Sequence, residues 1–508
     1  MLARFFAHGF FAQGKVQDRS VNRLGHSNTP EQLLDTPGDS VQQNRLHYLS
    51  MESLLQQDSR RGTFPVAKQN IAKGRTNMKI GFLSVPLSGH LYPMATLART
   101  LQSRGHEVVF IGVPDAEAIV RGAGVDFVSY CGEEYPLGSI PKAYGPAGKM
   151  HGLDVTTYTC QQIVPRFTEA AFKHLPGVLR KLNVDLLVID TIHFLIELVP
   201  MNMGIPYIQV WNVVHLDLSG QTPPSLFDWP YQTTPAALDR NAQVSHELVG
   251  TLFPPVMEVA LRYVQENGME IDWTDPAATV SKLAVISQLP EEFDFPGTPW
   301  PPQHHYTGPL HDVAGRSAIE FPWERLDGRP LIYASMGTLL NGSVQTYKTI
   351  LKSAAQFPEA QFVVSFGNAM QIEDLGEIPK NVIAVQKAPQ LELLERATLC
   401  ITHAGLNTVL ESLAQGVPMV GIPVGYDQPG TAARIAHHGV GEFVGIEEEL
   451  TVEGLSALVR KVMQTPAYRE KAQHFQRIIA DRNGLDLAAD VVEASLITSH
   501  DAEMIAMA

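Results

Sequence analysis

Cysteine is scarce: Cys131, Cys160 and Cys400 are the only three in 508 residues. Three widely separated thiols give neither a disulfide framework nor a metal-binding pattern, and they suit a reducing cytoplasm. Positive charge is also short, with 38 Lys and Arg against 53 Asp and Glu and a net charge of −15. That balance argues against a nucleic-acid partner. No apolar run reaches the roughly 18 residues that suggest a membrane span. The nearest candidate, 186–214, is broken by Asp190, His193, Glu197 and prolines.

What is present suffices for two or three domains with sizeable cores, since 44% of the residues are hydrophobic and only 18% charged. Residues 1–77 differ from the rest. They hold 10 Lys and Arg and 6 Asp and Glu, a net +4 that leaves −19 for 78–508. Their periodicity is poor, and the stretch around Phe5, Phe6, Phe10 and Phe11 is too short and too interrupted for a signal peptide. A disordered extension is expected over 1–77, with Met78 as the natural first residue. Basic residues after the aromatics leave a peripheral membrane contact as the alternative.

From Met78 the pattern alternates between strand and helix. Lys79–Val85 reads as a buried strand, Pro86–His90 as a loop, and Pro93 as the first turn of a helix with Met94, Leu97, Ala98 and Leu101 on its core face. Glu107–Ile111 is the next strand, and the unit repeats. Such alternation implies a parallel, doubly wound sheet, with ligands beyond the carboxyl ends of the strands. His90 falls there, and so does Asp190 at the end of the strand Leu186–Asp190. Residues 216–275 read as loops and helices of a lid or acceptor region. A second sheet begins at Leu331–Ser335, followed by Gly337 and Thr338.

The most informative stretch is 388–428, APQLELLERATLCITHAGLNTVLESLAQGVPMVGIPVGYDQ. Leu399–Thr402 reads as a buried strand and Leu406–Ala414 as a helix that ends at Gly416. His403, Asn407 and Glu411 stand four apart, so they are expected on one stripe of that helix, with Thr408 beside them. A helix N-terminus that emerges from a parallel sheet binds anions, and Gly405 permits close backbone approach. His403 and Asn407 would add donors to a diphosphate. Glu411, one turn deeper, could accept from vicinal ribose hydroxyls.

This stretch resembles the donor-binding signature of family 1 glycosyltransferases, which use nucleotide-activated sugars. Its wording, THAGLNTVLESLAQGVPMVGIPV followed by DQPG, looks most like the bacterial zeaxanthin glucosyltransferase branch, as does LPEEFDFPGTPWPPQHHYTGPL at 289–310. The resemblance covers essentially 78–498. It implies a GT-B fold of two doubly wound domains facing across a cleft: an acceptor-binding domain at 78–310, a linker at 311–328, a nucleotide-sugar-binding domain at 329–480, and at 481–508 a helix that crosses back to the first domain, with a tail. It also implies diphosphate contacts from His403, Asn407 and Thr408, ribose contacts from Glu411, sugar contacts from Asp427 and Gln428, and Gln390 near the nucleoside. Thr338 would donate to a phosphate. One departure stands out: Lys387 occupies the place where many members stack a Trp on uracil.

Sugar transfer to a hydroxyl needs a base for the acceptor proton. A histidine, with its ordinary pKa near 6.5, serves at neutral pH. His90 in SGHLYP matches the family's base position. A carboxylate on its other ring nitrogen would fix the tautomer; Asp190 is the candidate, and Asp185 the fallback at the far edge of that strand. No Asp-x-Asp ends a strand, so no metal and no cofactor are expected. The reading is a cytoplasmic or membrane-associated inverting transferase that moves glucose from UDP-glucose to a lipophilic hydroxyl compound such as a carotenoid. Other natural products (macrolides, flavonoids, sterols) are alternative acceptors. A nucleotide-sugar epimerase and a non-catalytic transferase-like partner are the rival readings.

Overall fold

The computed structural model describes residues 77–506 except 299, 313 and 317, with side chains described as far as Leu496. Apart from Asn77, the extension expected over 1–77 lies outside these residues. Among the described residues the strands form two parallel sheets. The first orders β3-β2-β1-β4-β5-β6-β7, with β1 Lys79–Leu83, β2 Glu107–Gly112, β3 Asp126–Ser129, β4 Leu186–Asp190, β5 Tyr207–Trp211, β6 Val285–Ser287 and β7 His304–Tyr306. The second orders β10-β9-β8-β11-β12-β13, with β8 Leu331–Ser335, β9 Gln361–Ser365, β10 Val382–Val385, β11 Ala397–Thr402, β12 Met419–Gly421 and β13 Gly441–Phe443. Each chain order reverses direction beside its first strand. These switch points open a crevice at the carboxyl ends of β1 and β4, and another at those of β8 and β11.

Both faces of each sheet are covered, which is why the strands read as continuous apolar runs. Ile80, Phe82, Phe110 and Val188 face one core of the first domain, and Leu83, Val109, Leu187 and Ile189 face the other. In the second domain Tyr333, Val363 and Cys400 divide in the same way from Ile332, Phe362 and Ile401.

The helices that matter for the site are α1 Ser88–Ser103, α2 Val164–Leu182, α3 Val344–Ala354, α4 Leu406–Ala414, α5 Gln428–His437 and α6 Gly484–Ala506. Helix α1 starts earlier than the expected loop over Pro86–His90 allows, and Pro93 lies inside it rather than in its first turn. Proline has no N–H to give to the carbonyl four residues back, here Gly89. That carbonyl accepts instead from Asn407 Nδ2 of α4. The proline that was expected to mark the helix start thus frees an acceptor for the other domain.

Two features tie the halves together. Helix α6 lays Ala488, Ala489, Val492 and Leu496 into the first domain's core beside Leu97 and Leu101, and Arg104, which caps the end of α1, pairs with Asp486 at 2.8 Å and Asp490 at 2.6 Å. Arg434 of α5 donates to Asp294 of the first domain at 2.6 Å, both side chains under 5% exposed. Removing one partner of a buried pair strands the other charge. Asp294→Ala is therefore expected to destabilise the fold by about 3–5 kcal/mol, read by chemical denaturation.

Candidate active site

His90 stands in the first turn of α1, at the carboxyl end of β1. Its Nδ1 lies 2.8 Å from Asp190 Oδ2, at the carboxyl end of β4. The parallel register of β1 and β4 sets Leu83 beside Ile189, so Ser84 and Asp190 emerge together. Ser84 Oγ donates to the same Asp190 oxygen at 2.8 Å, and the Ile192 N–H reaches Oδ1 at 3.4 Å. Asp190 is wholly buried, whereas the His90 side chain is 12% exposed.

Charge follows from this geometry. Burial pulls the His90 pKa down, but the Asp190 carboxylate, through charge and hydrogen bond, lifts it above the usual histidine value, with help from Asp427. Burial pushes Asp190 up, but the charge and hydrogen bond of His90 and the Ser84 hydrogen bond hold it below the usual carboxylate range. Both shifts describe one coupled pair. With Nδ1–H donated to Asp190, Nε2 is the basic nitrogen of the ring.

The donor signature folds as strand, turn and helix, but not as a single stripe. Ala404 takes a left-handed conformation (φ 62°) and Gly405 is the N-cap of α4. His403 therefore lies in the turn, off the helix, and the expected stripe starts at Asn407. The His403 ring lies between two glycines: a Cβ on Gly337 would sit 2.6 Å from its Nε2, and one on Gly405 would collide with the same atom. Burial pushes His403 down to about 4, so it is neutral at physiological pH.

Asn407 lines the cleft, donating to Gly89 O and accepting from Gln288 Nε2 at 2.8 Å. Thr338 follows β8 and lies 2.9 Å from Ser88 Oγ across the cleft. Gln390 Nε2 lies 3.3 Å from Thr408 Oγ1 and 2.5 Å from Glu411 Oε2. Asp427 accepts from the Val214 N–H at 2.9 Å, and burial raises its pKa. Gln428 Oε1 is committed to its own loop, accepting from Val424 and Gly425 N–H at 2.8 and 3.2 Å. Only its amide group can turn toward a ligand. Asp185 accepts from Lys79 N at 2.7 Å at the amino ends of the strands, remote from His90.

Sequence reading missed Ser84, Gln288 and Arg316. Ser84 becomes visible only once the β1–β4 register is known. Gln288 directly follows β6, and the end-of-strand rule that found Asp190 also applies to it. Arg316 carried no local signal at all. A small cavity of about 40 Å³ is lined by Val85 and Pro86, which follow Ser84 in the chain, by Ile192 and Phe194, which follow Asp190, and by Tyr144 and Phe167, among others. The ends of a π-helical turn, Thr159 and Ile163, and Phe194 with its positive φ line it as well.

In sequence and in fold the chain is similar to known proteins. Residues 280–500 match the family described as UDP-glucoronosyl and UDP-glucosyl transferase. Zeaxanthin glucosyltransferase of Pantoea ananas is 27% identical over 82% of this chain and 95% of its own. Demethyllactenocin mycarosyltransferase of Streptomyces fradiae is also 27% identical, over 82% and 86%. The crystal structure of the glycotransferase of kitacinnamycin, 25% identical, covers 83% of this chain and all of its own with a TM-score of 0.63. The calicheamicin glycosyltransferase CalG4, 21% identical, matches in fold with a TM-score of 0.62 over 84% and 99%. Fold and likeness define the class: this is a glycosyltransferase of GT-B fold. Within that class its sequence is similar to family 1 and to its zeaxanthin glucosyltransferases. No helix among the described residues is long and apolar enough to cross a membrane.

Proposed function

We propose that this protein transfers glucose from UDP-glucose to a hydroxyl of a lipophilic small molecule, such as a carotenoid, with inversion at the anomeric carbon. The observation that carries the reading is the His90–Asp190 pair, next in the chain to the Gly89 carbonyl that accepts from Asn407 of the donor signature. The acceptor oxygen attacks the anomeric carbon while its proton passes to His90 Nε2. The bond from that carbon to the diphosphate oxygen breaks, and UDP leaves with the electron pair. Asp190 stabilises the imidazolium that forms. The N-terminus of α4 and the Asn407 amide face the charge that grows on the diphosphate, an electrostatic role that needs no metal. Asp427 and Gln428, at the start of α5, are read as holding the sugar, and Thr338 as donating to a phosphate. The cavity is smaller than a lipophilic ring, so the acceptor enters by displacing the side chains that border it. The reaction belongs in the cytoplasm, where UDP-sugars are the donors.

Gly405 provides one check on the donor side. Its Cβ would collide with His403, and overpacking of that kind costs about 1–3 kcal/mol. Gly405→Ala is therefore expected to lower the thermal unfolding temperature and, because the His403 ring must shift, to weaken UDP binding. Titration calorimetry with UDP measures it.

The reading itself is tested by mass spectrometry after incubation with UDP-glucose, a chelator, and a panel of acceptors that includes zeaxanthin and a macrolide aglycone. A gain of one hexose on zeaxanthin supports the whole reading. A gain confined to the macrolide moves the acceptor but keeps the chemistry. No product from any acceptor, with UDP bound, favours a non-catalytic partner.

A further inference from the structure

A linker residue reaches the donor side of the cleft. Between β7 and β8 the chain passes over α1, where Asp312 pairs with Arg99. The Arg316 guanidinium lies 5.3 Å from the centre of the Tyr92 ring on that helix, and its Nη2 donates to Glu411 Oε1 of α4. The turn that delivers Arg316 is specified by Gly315, whose φ is +84° and whose Cβ would collide with the Arg99 guanidinium. The contact is built by the chain's shape and is not a chance meeting of surface charges.

Glu411 is 3% exposed, and both of its oxygens are engaged, Oε1 by Arg316 and Oε2 by Gln390. The Gln390 oxygen in turn accepts from Tyr333 Oη at 3.1 Å. A buried carboxylate without donors is costly. A hydroxyl that supplies a missing donor adds much more affinity than one that joins a carboxylate already satisfied.

We propose that Arg316 sets the choice of donor nucleotide. By holding Glu411 Oε1 it lowers the value of a ribose 2′-hydroxyl, so 2′-deoxyribonucleoside diphosphate sugars serve as donors alongside ribonucleoside ones. The inference rests on the donor reading above, which brings the ribose to Glu411. Arg316 is a positioning residue for Glu411, and its effect is read in a ratio of affinities. Loss of a cation beside the diphosphate weakens both nucleotides alike and cancels in that ratio.

The experiment is calorimetric binding of UDP and of 2′-deoxy-UDP to the full chain. Wild type is expected to bind the two within about tenfold of each other. Arg316→Ala is expected to widen the preference for UDP by about a further tenfold, because the stranded carboxylate then takes the 2′-hydroxyl. Gly315→Val, which disturbs the turn without deleting the guanidinium, is expected to move the ratio in the same direction. A larger wild-type preference for UDP, or a ratio unmoved in Arg316→Ala, overturns the proposal. If Arg316→Ala does not fold, the wild-type ratio and Gly315→Val decide. Failure of both nucleotides to bind wild type removes the donor reading and this inference with it. Binding of both with the wrong ratio removes this inference alone.

Discussion

His90→Ala is expected to lower the turnover of hexose transfer by about 10³-fold, within the 10²–10⁴ span of general-base catalysis, with UDP affinity unchanged. In the proposed mechanism the base acts on the acceptor hydroxyl, so its loss is expected in the chemical step and not in donor binding. Single-turnover transfer and UDP calorimetry on the same preparation separate the two. Because Asp190 keeps its bonds from Ser84 and Ile192, the variant is expected to remain folded. An equal fall in UDP affinity would mean that His90 serves the donor instead.

Asp190→Asn is expected to cut turnover by about 10²–10⁴-fold and to move the acid limb of the rate profile. The sign follows from the pair. Asp190 raises the His90 pKa above its ordinary value, so wild-type transfer falls as the pH drops through that raised value and His90 becomes protonated. A neutral amide removes the attraction that offset burial. The His90 pKa then falls and the acid limb shifts to lower pH. The Asn side chain can also present its NH2 group to Nδ1, which favours the tautomer with its proton on Nε2, the wrong form for a base. A rate loss with no shift of the limb would leave Asp190 a structural residue only.

Much of the fold could be read from residue pattern. The apolar runs at Leu186–Asp190 and Leu399–Thr402, the helix Leu406–Ala414 and its stop at Gly416 all appear where their composition places them. So does the placement of His90 and Asp190 at strand ends, because a parallel sheet presents its ligand face at the carboxyl edge. Local pattern misled in two places. Proline at position 93 was expected in a first turn, since N1 tolerates it, yet a side chain from the other domain took over the acceptor it left. The four-residue spacing put His403 on the α4 stripe, but a left-handed Ala404 intervenes, and nothing in alanine signals that conformation. The Arg316–Glu411 pair joins residues 95 apart. Charges that meet through tertiary folding leave no periodic trace in a sequence.

The proposed mechanism is a direct displacement on an activated sugar, and the anomeric configuration of the product tests it most plainly. The glucoside made from UDP-α-glucose is isolated and its anomeric proton examined by NMR. Attack by a hydroxyl deprotonated at His90 gives a β-glycoside, recognised by the large coupling between axial protons at C1 and C2. An α-glycoside would contradict single displacement and, with it, the role assigned to the His90–Asp190 pair.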